Sequence, residues 1–365
     1  MRGIAALAVA GMHVTSSYVD GPARGWLDAI ALGAVKALTN GYGAVVAFFV
    51  ISGFVLARSL DGNLDAARFV RARVSRLFPA AITTVAIFTA LFYAFGFSLY
   101  GRASFTPLDV AANMLMLRAD IDAVMWSMKA ELAATPLIFA SVWLFRRHGA
   151  RPLLAIAAVL FGLSFVGQYN HMIGDDTNLA PLYAFPVGVL LHFRGETIAR
   201  RAGPIAATIA ATAAIAIFCA CSFFKPSGTF TLLVECLSAA MLVALIAFRT
   251  DGATFAALDL PIVRFYGRIS YSFYLLHPLA LWATARLVGY LLNRFDALPV
   301  TLVLAAAFVF SVIVVTPLAY ASWRFVERPA MALRRQPSAA PSDHPGEASV
   351  IPMRSERFYA VDRVD

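Results

Sequence analysis

Three ionisable residues lie inside strongly apolar segments of the sequence: His13, Glu131 and His277. Such residues are rare in apolar segments and usually face the interior of a helical bundle or a wet cavity. A histidine there can act as a general base toward a hydroxyl nucleophile. The plainer interpretation is a histidine whose hydrogen bonds are satisfied by a neighbouring helix. For His13, position alone favours neither interpretation.

Counting along the predicted helices places these three residues at similar depth. His13 follows Arg2 by 11 residues, which puts both on one helix face, about 16 Å apart along the axis. His277 lies roughly 14 Å in from one surface, and Glu131 lies roughly 12 Å in from the other. The sequence therefore predicts a reaction centre inside the bundle, with Glu131 beside His13.

Polar residues accompany these groups at helical spacing. Ser127 precedes Glu131 by four residues, so the two share a helix face. Ser270 and Tyr274 form one polar stripe with His277. Ser52 and Gly53 are small residues that let another helix or a ligand approach closely. We interpret these residues as candidate lining of the site, although small residues alone are typical of ordinary packing.

Two other charged residues in apolar segments receive plainer interpretations. We favour Glu235 as a structural partner of a polar neighbour over a contact with a substrate. Lys129 points about 200° away from Glu131 on the same helix, so we expect it to extend outward toward the surface.

The segment RFVRARVSRLFPA, residues 68–80, is predicted to be a loop and carries four arginines: Arg68, Arg71, Arg73 and Arg76. One interpretation is topological, since inner loops of membrane proteins are enriched in positive charge. The other is a binding site for anionic phosphate groups, which guanidinium groups recognise well. The residues themselves support both equally.

The composition indicates an all-α, polytopic membrane bundle. The 365 residues are 60% hydrophobic and only 14% charged, and the mean hydropathy is +0.74. A soluble domain carries about a quarter charged residues. A span needs about 20 mostly apolar residues, which predicts ten spans. Their approximate positions are 3–19, 42–57, 78–99, 123–145, 153–169, 180–193, 204–223, 230–248, 269–291 and 299–322.

Charge distribution predicts that both termini lie inside. This orientation places eighteen arginines in the inner segments and six Lys or Arg residues in the outer ones, as the positive-inside rule requires. We therefore attribute the net charge of +9 to topology rather than to nucleic-acid binding. Residues 1–330 are predicted to form one membrane domain. Residues 331–365, rich in Pro, Ser and charge, are predicted to be a disordered cytoplasmic tail. The three cysteines form no CxxC pair, so we expect no metal site and no disulfide framework.

An ordered set of motifs resembles acyltransferase family 3, which includes O-antigen, nodulation-factor and exopolysaccharide acyltransferases. The opening RGIAA with its histidine resembles the first helix of that family, with the same spacing between arginine and histidine. Five further matches follow in family order through residue 329: FFVISGF at 48–54, RVSRLFP at 73–79, Trp126-Ser127 with Glu131, GRISYSFYLLHP at 267–278, and FVERP at 325–329. Members usually have several residues before this arginine, so we expect the natural chain to begin earlier.

The resemblance implies a multi-pass protein of the bacterial inner membrane that moves an acyl group, most often acetyl. The donor would be acetyl-CoA or another acyl-CoA, and the acceptor a carbohydrate or glycolipid of the cell envelope. His13 would be the general base, and Arg2, Arg73 and Arg76 would hold the acyl-CoA. Glu131, His277 and Tyr271 would orient the reacting groups; Ser52, Trp126, Ser127, Ser270 and Tyr274 would complete the lining.

Two other functions compete with this interpretation. A transporter or flippase for a glycolipid would also have many helices and midplane charges, although no internal repeat is visible. A structural subunit of a polysaccharide-export complex would tolerate alanine at its midplane polar residues. The arginine–histidine pair on the first helix, combined with the arginine segment, favours the enzyme.

Overall fold

The protein is a bundle of helices, seen in a computed structural model that describes residues 1–16, 18, 22–99, 101, 103–166, 180–201, 203–224, 228–249, 253–295 and 297–332. The helices are α1 (Arg2–Thr15), α2 (Trp26–Leu38), α3 (Gly41–Asp61), α4 (Ala66–Phe95), α5 (Pro107–Met114), α6 (Trp126–His148), α7 (Ala150–Leu163), α8 (Ala184–Arg201), α9 (Pro204–Ala220), α10 (Thr229–Phe248), α11 (Pro261–Arg294), α12 (Val300–Ser322) and α13 (Arg328–Ala332). Within these ranges no strand occurs, so the predicted all-α class is confirmed.

Each of the ten predicted spans overlaps a helix, although the ends of the spans 3–19 and 153–169 lie partly outside the described residues. Seven helical stretches of the described chain are long and apolar enough to cross a membrane, which makes this a multi-pass membrane protein. The helices at the first, fifth and sixth predicted spans, namely α1, α7 and α8, do not reach that measure of length and apolarity. The predicted tail at 331–365 lies outside the described residues except for its first two, which end α13.

Helix α2 was missed by the sequence prediction. Its 13 residues extend for only about 20 Å, too short to cross a bilayer core of about 30 Å. Asp28 of α2 instead accepts hydrogen bonds from the backbone N–H groups of Val300 and Thr301, at 3.1 and 2.9 Å. These are free donors at the start of α12, and a carboxylate there also complements the helix dipole. These hydrogen bonds hold α2 against the end of the α11–α12 hairpin.

The prediction of a loop at the arginine segment was wrong. Residues 66–95 form one helix, and Asp65 caps it by accepting from the Arg68 backbone N–H at 2.9 Å. Pro79, the second residue of the predicted span 78–99, therefore lies inside α4 instead of near the start of a helix. A proline costs less inside a membrane helix, where neighbouring groups satisfy the carbonyl that it leaves free. The four arginines thus project from a rigid helix, which fixes Arg73 and Arg76 relative to each other.

Glycines allow the helices that carry the polar residues to approach closely. A Cβ atom on Gly53 of α3 would lie 2.2 Å from the carbonyl oxygen of Phe185, and one on Gly188 of α8 would lie 2.2 Å from that of Val50. A Cβ atom on Gly3 of α1 would lie 2.6 Å from the carbonyl carbon of Tyr266 in α11. Real side chains cannot occupy those positions, so the α3–α8 and α1–α11 contacts require glycine.

We expect Gly188→Ala to destabilise the protein, because the new methyl group would force α3 and α8 apart. Overpacking of this kind costs about 1–3 kcal/mol, so the midpoint of thermal unfolding in detergent should fall by several degrees. Gly33→Ala is the matched control, because open space surrounds that position in α2. Alanine there should leave the midpoint unchanged or raise it slightly. Equal midpoints for Gly188→Ala and wild type would show that the contact is not close.

Candidate active site

His13 and His277 form a hydrogen-bonded pair between α1 and α11. The His13 Nδ1 and His277 Nε2 atoms are 2.7 Å apart. The two ring planes differ by only 7°, and the ring centroids are 5.0 Å apart. This centroid distance exceeds the distance between the two nitrogens by about the width of one ring, as it does when the two nitrogens lie on the line between the centroids. The rings therefore meet edge to edge rather than face to face, which allows a nearly linear hydrogen bond.

The partners of His277 determine which nitrogens of the pair carry protons. His277 Nδ1 lies 2.6 Å from the backbone carbonyl oxygen of Tyr274, and a carbonyl oxygen can only accept. Neutral His277 therefore carries its proton on Nδ1 and accepts at Nε2, so His13 donates from Nδ1. This assignment leaves a lone pair on Nε2 of His13. His13 is half-buried, whereas His277 is only 1% exposed.

A partly open cavity lies next to this pair, on the side of the arginine-bearing helix ends, and its space of about 500 Å³ includes open solvent. Eight of the predicted site residues line it: Arg2, Ser52, Arg76, Ser127, Glu131, Ser270, Tyr271 and Tyr274. The histidine pair follows one helical turn beyond Tyr274 on α11 and three turns beyond Arg2 on α1. Tyr274 joins the two regions, since its ring centroid lies 5.8 Å from that of His277.

Glu131 pairs with Arg73 rather than with His13, so the sequence-based expectation of a Glu131–His13 pair is corrected. Arg73 Nη2 lies 2.9 Å from Glu131 Oε1, and the Ser52 hydroxyl donates to the same oxygen at 2.7 Å. The physical reason is the helix arrangement, in which α6 faces α3 and α4 while α1 packs against α11. Arg73 is only 2% exposed, so its charge is largely balanced by Glu131. Arg76 lies in the cavity wall.

The hydroxyl groups of the cavity wall donate to acceptors of the protein itself. Tyr271 donates to the Leu77 carbonyl at 2.7 Å, and Ser270 donates to the Gly267 carbonyl at 3.0 Å. Ser127 and Tyr274 share a bond of 2.8 Å, and both lie 3.1 Å from the Val124 carbonyl. Because each hydroxyl carries one proton, these groups present mainly lone pairs to the cavity. The cationic donors in the wall come from Arg2 and Arg76.

Glu327 is a buried residue near Arg76 to which the sequence prediction gave no role. It lies in a π-helical turn, Trp323–Glu327, between α12 and α13, and such turns are frequent at functional sites. Its buried carboxylate accepts from Ser272, whose hydroxyl also contacts Ser322 at 2.7 Å. The Arg76 guanidinium interacts electrostatically with this carboxylate. The only signal in the sequence was its place in the FVERP motif.

Three remaining predictions have different outcomes. Trp126 packs edge-on against Phe49, with ring centroids 6.4 Å apart, and so supports a residue of the cavity wall. Glu235 is buried and accepts from the Asn40 side chain at 2.8 Å, a polar neighbour of the kind we had favoured. The outward position expected for Lys129 is wrong, since this side chain is only 2% exposed. The described residues contain no group of three or more His, Cys, Asp or Glu side chains that could hold a metal ion.

The fold and the site define an integral membrane protein with a histidine pair beside an arginine-lined cavity in its helical bundle. The family model described as an acyltransferase domain, that of acyltransferase family 3, matches residues 1–320. The chain therefore belongs to acyltransferase family 3 and is a membrane acyltransferase. Searches of curated proteins and of solved structures found no match. The catalytic and binding roles of individual residues stay predictions.

We expect Arg73→Gln to destabilise the protein strongly, because it would leave the Glu131 carboxylate without its ion-pair partner. Breaking a buried pair in this way costs about 3–5 kcal/mol, which thermal unfolding in detergent would detect. Replacing both partners, as in Arg73→Met with Glu131→Met, should recover part of the loss. Arg71→Gln is the control on the same helix, because Arg71 is exposed. A wild-type unfolding midpoint for Arg73→Gln would contradict the importance of the pair.

Proposed function

We propose that the protein transfers an acyl group, with acetyl as our candidate, from a cytoplasmic acyl-CoA to a hydroxyl of an envelope or exported glycan. The observation that carries this proposal is the His13–His277 pair immediately beyond an arginine-lined cavity. A base with a free lone pair suits activation of a hydroxyl, and the guanidinium groups suit an anionic donor. The family supplies acyl transfer in general; donor, acceptor and base are our inference.

The charges around the cavity support an acyl-CoA donor. Arg2 and Arg76 line the cavity beside Glu131. Coenzyme A carries its phosphates at one end and its thioester at the other. With the phosphates at the arginine-bearing helix ends, the thioester would point along the cavity toward Tyr274 and the histidine pair. By the positive-inside rule, those ends face the cytoplasm of a bacterial inner membrane.

The reaction then follows from the histidine pair. The acceptor hydroxyl would attack the thioester carbonyl carbon while its proton passes to Nε2 of His13. Donation from His13 Nδ1 to His277 would stabilise the resulting imidazolium, as the orienting partner does in a catalytic triad. The attack forms a tetrahedral oxyanion. The carbon–sulfur bond then breaks, and the leaving thiolate takes the proton from His13, which yields the ester and free coenzyme A.

A transporter or flippase is the alternative proposal, and the geometry favours it less. A carrier would need its intramembrane histidine for substrate binding or proton coupling, but would not need a fixed tautomer beyond an arginine-lined cavity. The two functions differ in a simple product, because only the enzyme creates ester-linked acyl groups. Detection of ester-linked acyl groups therefore distinguishes the enzyme from the transporter.

We expect His13→Gln to abolish acyl transfer, because glutamine preserves the polar contact but cannot accept the proton. General base catalysis contributes about 100- to 10,000-fold, so the product should fall at least 100-fold. Cells lacking the endogenous gene would carry wild type, the variant or an empty vector. Ester-linked acyl groups on envelope polysaccharide would be measured by mass spectrometry.

The control for this experiment is His148→Gln, which changes an exposed histidine at the end of α6, together with equal abundance of all variants in the membrane. Wild-type acylation by His13→Gln would show that His13 is not the base. Equal acylation with wild type and with the empty vector would contradict the acyltransfer proposal for this acceptor class.

We expect Arg76→Gln to weaken acyl-CoA binding with little effect on stability. A charge-assisted contact to an anion contributes about 1.5–3 kcal/mol, so the Kd for acetyl-CoA should rise at least about tenfold. Binding would be measured by calorimetry on purified protein in nanodiscs. Arg71→Gln removes the same charge from the same helix and should change the Kd less than threefold. Equal effects of both variants would mean that only the general positive potential attracts the donor.

A further inference from the structure

We infer that Pro278 is a positioning residue for the histidine pair, because it frees the backbone carbonyl that fixes the tautomer of His277. The inference rests on the proposed function for its effect on catalysis, but its structural part does not. Pro278 follows His277 directly and lies inside α11, far from either helix end. The sequence prediction used it only as part of a motif.

The helix geometry explains why this position needs proline. In an α-helix, the backbone N–H of residue 278 would donate to the carbonyl of residue 274. Proline has no N–H, so the Tyr274 carbonyl loses its helical donor. An unpaired carbonyl inside an apolar bundle is costly. The His277 ring satisfies it from Nδ1 at 2.6 Å, and both residues are at most 3% exposed.

This bond determines the protonation of both rings. A proton on His277 Nδ1 makes Nε2 the acceptor, and His13 then donates from Nδ1 across 2.7 Å. The near-coplanar rings fit such a chain, in which the Tyr274 carbonyl accepts from His277 and His277 accepts from His13. The opposite tautomer of His277 would present N–H at the Nε2 position and require His13 to accept at Nδ1. His13 would then carry its proton on Nε2 and could not act as a base from that atom.

Other prolines inside helices show that the arrangement is specific to this site. Thr135 and Thr316 precede Pro136 and Pro317, which are also interior to their helices. Their hydroxyls donate to the carbonyls of Glu131 and Val312, which are not the carbonyls that those prolines free. At Pro278, the preceding side chain donates to the freed carbonyl itself.

The test is Pro278→Ala, which restores the missing N–H. The helical bond from residue 278 would occupy the Tyr274 carbonyl and close the turn, so His277 Nδ1 would lose or share its acceptor. We expect acylation of envelope polysaccharide to fall at least tenfold, with a Kd for acetyl-CoA within twofold of wild type. The matched control is Pro317→Ala on the exposed face of α12, which should retain wild-type acylation.

A second measurement is independent of activity. Nitrogen-15 NMR of histidine-labelled protein in lipid bilayers distinguishes protonated from unprotonated ring nitrogens, and the loss of a signal in His277→Gln identifies His277. We expect wild-type His277 to be protonated at Nδ1 and unprotonated at Nε2, and Pro278→Ala to change that pattern. Wild-type His277 with its proton on Nε2 would overturn the inference without any variant.

The outcomes separate the inference from the proposed function. Wild-type acylation together with an unchanged tautomer in Pro278→Ala would overturn the role of Pro278 while leaving the acyltransferase proposal intact. Absence of acylation by wild type would count against the proposed function, yet the NMR result would still decide the structural part. Loss of acylation by Pro317→Ala to the same extent would show that any change of an interior proline disrupts the bundle.

Discussion

The hydrogen bond between His13 and His277 is the interaction on which the arrangement of the site depends. It joins residues that are 264 positions apart in the chain, so it exists only if the first helix packs directly against α11. That contact needs Gly3, because a Cβ atom there would collide with the backbone at Tyr266. The hydrogen bond between the two histidines therefore depends on the close contact of α1 with α11, and that contact depends on the glycine at position 3. A larger residue at position 3 would separate the two helices and break the hydrogen bond between the two rings.

A second constraint is electrostatic. Helix α4 places the charges of Arg73 and Arg76 near the apolar interior, where an unpaired charge is energetically unfavourable. The two arginines have different partners. Arg73 is buried against Glu131, which is also bonded by Ser52. Arg76 lies in the cavity wall with Glu327 nearby. Arg73 and Arg76 project from the same helix, α4. The Arg73–Glu131 ion pair therefore helps to hold Arg76 in the cavity wall, where its charge faces a ligand. In a medium of low dielectric constant, such a fixed cation acts more strongly than it would in water.

The sequence predicted which polar residues line the cavity better than how they pair. Helical rise alone placed His13, His277 and Glu131 at one level, but a one-dimensional count contains no information about which helices are neighbours. The count therefore predicted Glu131 beside His13, whereas the packing of the helices pairs Glu131 with Arg73. The same limit explains Lys129, because the count along its helix could not show that this side chain is surrounded by protein. Helix α2 was missed because its short apolar run fits neither a span nor a typical loop, and Asp28 acquires its capping role only from the α12 end.

The two ends of the site fit the requirements of acyl transfer between partners of different character. On the proposed function, an anionic thioester donor would need cations at its phosphate end, which Arg2 and Arg76 in the cavity wall would supply. A hydroxyl acceptor would need a base whose lone pair is kept available, and the chain of hydrogen bonds from the Tyr274 carbonyl through His277 to His13 would supply it one turn further along α11. Proline contributes to this second requirement by removing a donor rather than by adding a contact, since the free Tyr274 carbonyl selects the tautomer. On the proposed function, the polar groups of the bundle satisfy one another and leave His13 as the base and Arg2 and Arg76 as the cations for the reactants.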